Sequence, residues 1–148
     1  MIVAFEELKT LRGRVAMVDG AFDPLHHGHI EYFRVARERL GVPLLCNLAP
    51  DAYVARKHPP LLPQDQRAVV LDAIRYIEYT HKSGRDTESV LRELRPKYYV
   101  KGSDWAGKLP PGQEIICREH GIEIVYLDTV RDSSTAILKQ YRESQHPR

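Results

Sequence analysis

The sequence predicts one α/β domain in which a mostly parallel five-stranded sheet is covered by helices on both faces. Three observations carry this. Short apolar runs alternate with helix-patterned stretches along the whole chain, the order that builds a parallel sheet from crossover units. Those runs lack polar–apolar alternation, which is how strands read when both faces are covered. The length, 148 residues, suits one domain, residues 1–148, with a core that needs no disulfide or metal staple.

The elements follow in order. RVAMVDG (14–20) is an apolar run closed by glycine and reads as the first strand. In HIEYFRVARERLG (29–41), Ile30, Phe33, Ala36 and Leu40 recur at helical spacing, and Gly41 is a C-terminal stop. VPLLCNLA (42–49) is a second buried strand. The proline-rich PDAYVARKHPPLLP (50–63) is a loop with one short helical turn. QDQRAVVLDAIRYIEY (64–79) places Val70, Ala73, Ile74 and Ile77 at i, i+3, i+4 and i+7, an amphipathic helix that faces inward through those four. A short strand lies near Ile77–Thr80. DTESVLRELRP (86–96) opens on a capping residue, Asp86 or Thr87, and stops before Pro96. KYYVKG (97–102) is a strand, GQEIICREHG (112–121) a helix ended by Gly121, and IEIVYL (122–127) the last strand. DSSTAILKQYRE (132–143) begins with capping residues and forms the closing helix, and the polar tail from about residue 143 frays.

Composition narrows the function classes. Net charge is +2 and the basic residues are scattered, so the chain lacks the basic stripe of a nucleic-acid binder. No apolar stretch is long enough for a membrane span. The start, MIVAFEELKTLRGR, does not have the layout of a signal peptide. Cys46 and Cys117 read as buried thiols of a reducing compartment. The expected location is the cytoplasm.

The chemistry concentrates in GAFDPLHHGH, Gly20 to His29, between the first strand and the first helix. Ligands of open parallel sheets bind beyond the carboxyl ends of the strands. Glycines there allow close backbone approach, and a helix N-terminus offers N–H groups to phosphate. His26 and His29, three apart, project from one face of a helical turn, while His27 points elsewhere. Gly28 between them leaves the approach open. Two imidazoles at a helix start can stabilise charge on a phosphoryl group in transfer. Zinc binding is the competing reading, but Asp23 is the one nearby residue to complete such a set, and the spacing is not that of a metal site.

The segment resembles the GxFDxxHxGH signature of the cytidylyltransferase-like nucleotidyltransferases, with Gly20, Phe22, Asp23, His26, Gly28 and His29 in register. Two further stretches fit the resemblance, which spans Phe5 to Leu138. SSTAIL is similar to the family's STT at the last helix, with Ser134 and Thr135 matched and Ala136 in place of the second threonine. YVKGSDWAGK is similar to stretches of glycerol-3-phosphate cytidylyltransferases and of heptose-phosphate adenylyltransferase domains.

The resemblance implies a Rossmann-like fold and an enzyme that transfers a nucleoside monophosphate from ATP or CTP to a phosphorylated sugar or polyol, releasing pyrophosphate. It implies catalytic roles for His26, His29 and Lys57, with Arg56 adjacent to the last. It implies nucleotide contacts from Gly20, Ala21, Phe22, Asp23, Gly28, Arg67, Lys101, Gly102, Asp104, Trp105, Ser134 and Thr135. Mg²⁺ accompanies the triphosphate, and no metal site of the protein's own is expected. The role of Arg131, closer to the last helix than its counterpart in relatives, stays open. A homodimer is expected, with Tyr76, Tyr79, Tyr98 and Tyr99 as its aromatic surface. Two other classes stand beside this reading: a nucleotide-binding regulatory module without turnover, suggested by Ala136 and the shortened loop, and a metal-dependent hydrolase built on the histidines.

Overall fold

The computed structural model describes residues 1–129 and 134–145, with the side chains of Ser134 and Thr135 outside the description. Five strands form one parallel sheet: β1 Ala16–Gly20, β2 Leu44–Leu48, β3 Ile77–Lys82, β4 Tyr98–Gly102 and β5 Glu123–Leu127, in the spatial order β3-β2-β1-β4-β5. The helices are α1 His27–Leu40, α2 Asp51–Val54, α3 Gln64–Asp72, α4 Thr87–Leu94, α5 Pro111–Glu119 and α6 Ser134–Gln145.

Successive strand residues face opposite sides, so the sheet has two cores. Ala16 and Val18 pack with Phe33 and Ala36 of α1 and with Ala68 and Leu71 of α3. Val15 and Met17 pack with Val90, Leu91 and Leu94 of α4, Ile116 of α5, and Leu8. Strands covered on both sides have no polar face, which is why the alternation was missing from the sequence. Gly41 ends α1 in the left-handed conformation (φ 67°), and Asp86 caps α4 by accepting from Ser89 N at 2.7 Å. Cys46 and Cys117 are buried free thiols.

Three expectations change. The helix over 64–79 ends at Asp72, while the short strand expected near Ile77–Thr80 is present as β3. Its inward residues are Arg67, Ala68 and Leu71, whereas Val70 is 44% exposed. The i, i+3, i+4 pattern misjudged the face because α3 turns a buried arginine inward. The four tyrosines lie on the cores rather than on an open surface: Tyr99 is fully buried, Tyr76 and Tyr98 pack on one core and Tyr79 on the other. A further element was not foreseen. Phe5–Leu11 forms a 3-10 helix, and Ile2 pairs with Thr80 along the outer edge of β3.

Candidate active site

The chain goes from β1 outward to β2 and β3, then returns to β4 on the other side of β1. The carboxyl ends of β1 and β4 therefore flank the topological switch point, the crevice where such sheets bind ligands. GAFDPLHHGH leaves β1 there, and KGSDW leaves β4 there.

The histidines are held by a reciprocal cap. His26 is the N-cap of α1, and its Nδ1 accepts from Gly28 N at 3.0 Å. His29 Nδ1 reaches back to accept from His26 N at 3.2 Å. This is a capping box with imidazoles in place of the usual hydroxyl and carboxylate. It fixes the tautomer: where Nδ1 accepts, a neutral ring carries its proton on Nε2. The two rings stack with centroids 3.8 Å apart. Burial, and then the neighbouring His26, lowers the His29 pKa to about 3. His29 is therefore a neutral N–H donor at physiological pH. His27 is exposed, unlike its neighbours.

Phe22 supports the pair from beneath. It is 8% exposed and meets the His29 ring edge-on at 4.9 Å and Phe33 at 5.2 Å. Its φ of 50° is unusual for a residue with a Cβ. A Cβ on Gly20 would lie 3.0 Å from the Phe22 ring, so Gly20 makes room for this packing. Asp23 turns inward, 2% exposed, and its Oδ2 accepts from Leu61 N at 2.7 Å. Asp23 thus ties the motif to the proline-rich loop.

Arg67, expected among the nucleotide contacts, is turned into the protein. Its residue is 2% exposed. Nε donates to Leu62 O at 3.0 Å, Nη1 to Ala21 O at 2.8 Å and Ala49 O at 3.0 Å, and Nη2 to Asp51 Oδ1 at 2.6 Å. The guanidinium is a bracket that joins the ends of β1 and β2 to the proline-rich loop. Its fork matches several carbonyls at once, which a lysine could not do.

Lys101 is likewise committed. Its Nζ donates to Asp19 Oδ1 at 2.9 Å and lies 4.3 Å from the Trp105 ring centre. Asp19 Oδ2 accepts from the Tyr99 hydroxyl at 2.9 Å, and that hydroxyl is 3.0 Å from the Gln113 side-chain amide. Burial first, then the Asp19 carboxylate, raises the Tyr99 phenol well above its usual pKa. Asp104 and Trp105 are exposed on the 3-10 turn Ser103–Trp105. A Cβ on Gly102 would fall 2.7 Å from Asp104 Oδ1, so the Asp104 carboxylate sits where only glycine leaves it room without turning away. Lys57 and Arg56 are exposed at the end of β2's loop, their cations 5.9 Å and 5.7 Å from the Tyr53 ring centre. Ser134 opens α6, but the side chains of Ser134 and Thr135, and all of Arg131, lie outside the described residues.

Asp19, Tyr99, Gln113 and Asp51 were missed as participants. Asp19 did leave a signal, an acid inside an otherwise apolar strand. Among the described residues no group of three His, Cys, Asp or Glu side chains is placed to hold a metal ion. The hydrolase reading therefore has no ligand set among them.

Fold and site together are those of a nucleotidyltransferase domain: a five-stranded parallel sheet with a histidine-capped helix at its switch point. The cytidylyltransferase-like family model matches residues 17–140, and the chain belongs to that family. It is 33% identical over 152 residues to the bifunctional protein HldE of Campylobacter concisus, covering 98% of this chain and 31% of that protein. It is 34% identical over 147 residues to the protein of the same name from Syntrophotalea carbinolica, covering 93% and 30%. The chain thus spans about three tenths of the length of these curated relatives. The crystal structure of a lipopolysaccharide core biosynthesis protein from Thermoplasma volcanium shares the fold, with a TM-score of 0.65 at 21% identity, covering 81% of this chain and 98% of that one.

Proposed function

We propose that this domain transfers a nucleoside monophosphate from ATP or CTP to a phosphorylated sugar or polyol, with release of pyrophosphate. The observation that carries the reading is the reciprocal cap, which presents neutral imidazoles at a helix N-terminus beside the switch point. A phosphate monoester acceptor is already an anion near neutral pH, since its second pKa is about 6. It needs no general base, and a His29 with a pKa of about 3 would be a poor one. Catalysis then rests on positioning the two phosphates and on donors aimed at charge that develops in flight.

In this reading His26 and His29 face the α- and β-phosphates, and the Ala21–Phe22 backbone borders the nucleotide. Gly28 leaves the approach open. Lys57, or Arg56 beside it, meets phosphate from the rim, and Ser134 and Thr135 cradle the distal phosphates. Lys101 to Trp105 form the far wall. Asp23 and Arg67 serve by holding the loops that carry these groups. The substrate is the magnesium complex of the triphosphate, in which phosphate oxygens and waters supply most of the ion's octahedral shell.

The buried free thiols support a reducing, cytoplasmic setting. Among the described residues no helix is long and apolar enough to cross a membrane. A homodimer is retained on other grounds than the tyrosines: Leu61, Leu62, Val69 and Val70 are 52%, 41%, 63% and 44% exposed, an apolar strip along α3 and the preceding loop.

The deciding experiment is a matrix of ATP, CTP, GTP and UTP against phosphorylated sugars and polyols, read as pyrophosphate release. One productive pair supports transfer. Tight nucleotide binding with no release across the matrix would favour the regulatory module instead.

A further inference from the structure

A buried ion pair under an exposed indole is an uneconomical way to build a turn. Lys101 and Asp19 side chains are only 11% and 13% exposed, and taking both charges out of water carries a desolvation penalty that their attraction regains only with good geometry. Apolar residues of similar volume would pack the same space with comparable stability. The geometry present is nevertheless tightly determined. Asp19 accepts from Lys101 and Tyr99 with separate oxygens, both at 2.9 Å. Tyr99 has one hydroxyl proton, so with the Gln113 amide turned to donate, the whole chain Gln113–Tyr99–Asp19–Lys101 is satisfied. The ammonium ends between two rings, 4.3 Å from the centre of Trp105 and 5.6 Å from that of Tyr99. Trp105 is 38% exposed at the carboxyl edge of the sheet. Since Lys101 covers one face of the indole, the open surface is the other face and the rim.

We infer that Asp19 is a positioning residue that acts through Lys101 to hold the Trp105 indole as a stacking platform for the planar base of the nucleotide. Asp19 itself touches no substrate. Its charge neutralises Lys101, so the lysine serves the ring and not the phosphates. The ammonium anchors the inner face by cation–π attraction and leaves the outer face for an aromatic ring. The inference rests on the nucleotidyltransferase reading and adds to it the means of base contact. It also accounts for an acid in the interior of β1.

Trp105 is the chain's single tryptophan, so its fluorescence reports this surface alone. Wild-type protein is titrated with ATP, with CTP and with inorganic tripolyphosphate, which has no base. The nucleotides change Trp105 emission, and tripolyphosphate does not, although it competes with them. Trp105→Ala weakens nucleotide binding roughly five- to a hundredfold, the range for loss of one base–aromatic stack, and leaves tripolyphosphate affinity unchanged. Asp19→Asn, nearly isosteric, and Lys101→Met each weaken nucleotide binding on the order of tenfold and blunt the emission change, again without loss of tripolyphosphate affinity. Asp19→Glu recovers part of both. The inference is overturned if tripolyphosphate affinity falls in step with nucleotide affinity in Lys101→Met, because Lys101 would then be a phosphate ligand. It is equally overturned if nucleotides bind Asp19→Asn and Lys101→Met as they bind wild type. Absence of any nucleotide binding to wild-type protein is a different result, and it overturns the nucleotidyltransferase reading itself.

Discussion

Replacing Arg67 by methionine decides between a bracket and a phosphate ligand by the sign of its effect on stability. The side chain is 1% exposed, and its partner carboxylate on Asp51 is 45% exposed. Arg67→Met leaves Ala21 O, Ala49 O and Leu62 O without their guanidinium donors. A buried group that loses its partner costs ~1–3 kcal/mol. Relief of the buried charge offsets part of that, and Asp51, being half in water, is rehydrated when released. The net loss is therefore about 3 kcal/mol, the low end for breaking a buried pair. For a chain of this size that lowers Tm by about 6–12 °C. Arg67→Lys recovers little, because an ammonium cannot span carbonyls that a planar fork reaches together. Asp51→Asn costs about 1 kcal/mol or less, as a half-exposed pair should. The assay is urea denaturation without nucleotide, with the slope compared across variants so that a change in midpoint can be read as stability. Cations gathered for an absent anion repel one another, so an arginine held for phosphate would leave the free protein equally or more stable when removed. Unchanged or raised stability in Arg67→Met, with weakened triphosphate binding, would refute the bracket.

The other predictions are brief. His29→Ala removes an N–H donor and half of the cap; kcat falls at least about a hundredfold, with nucleotide affinity much less affected, and near-normal turnover in folded protein would defeat the assignment. His29 has a folded pKa below its unfolded value of 6.5, so its neutral form contributes stability that is complete above pH 6.5 and is lost as pH falls toward 3. Acid denaturation of His29→Asn should accordingly show a shallower dependence, by about one proton, across that window; an unaltered slope would mean His29 titrates normally. Gly20→Ala drives a methyl against the Phe22 ring, and turnover should drop at least about tenfold with little change in Tm, measured together on one preparation. Sedimentation equilibrium of wild type should give a two-chain mass that Val69→Asp with Val70→Asp reduces to one; a one-chain wild type with and without nucleotide rules the dimer out.

Local chemistry is legible in a linear sequence because its partners are near in the chain. The five strands, the Gly41 stop, the Asp86 cap and the histidine motif at a strand–helix junction all follow from patterns within a few residues. The imidazole capping box is local too, at i and i+3, and went unread only because histidines stand where a hydroxyl and a carboxylate are usual. The strand order is not local. By placing β4 beside β1 it brings Lys101 to Asp19 across 82 residues of chain, and Tyr99 to the same carboxylate across 80. The inward face of α3 depends on the same kind of contact. Hydrophobic periodicity rates arginine as a surface residue and valine as core, which assigns α3 the wrong side. Arg67 is buried because carbonyls from three separated segments and one carboxylate converge on it, replacing the water it gives up. A charged group's place depends on the partners available to it, and those partners are assembled only by the tertiary fold.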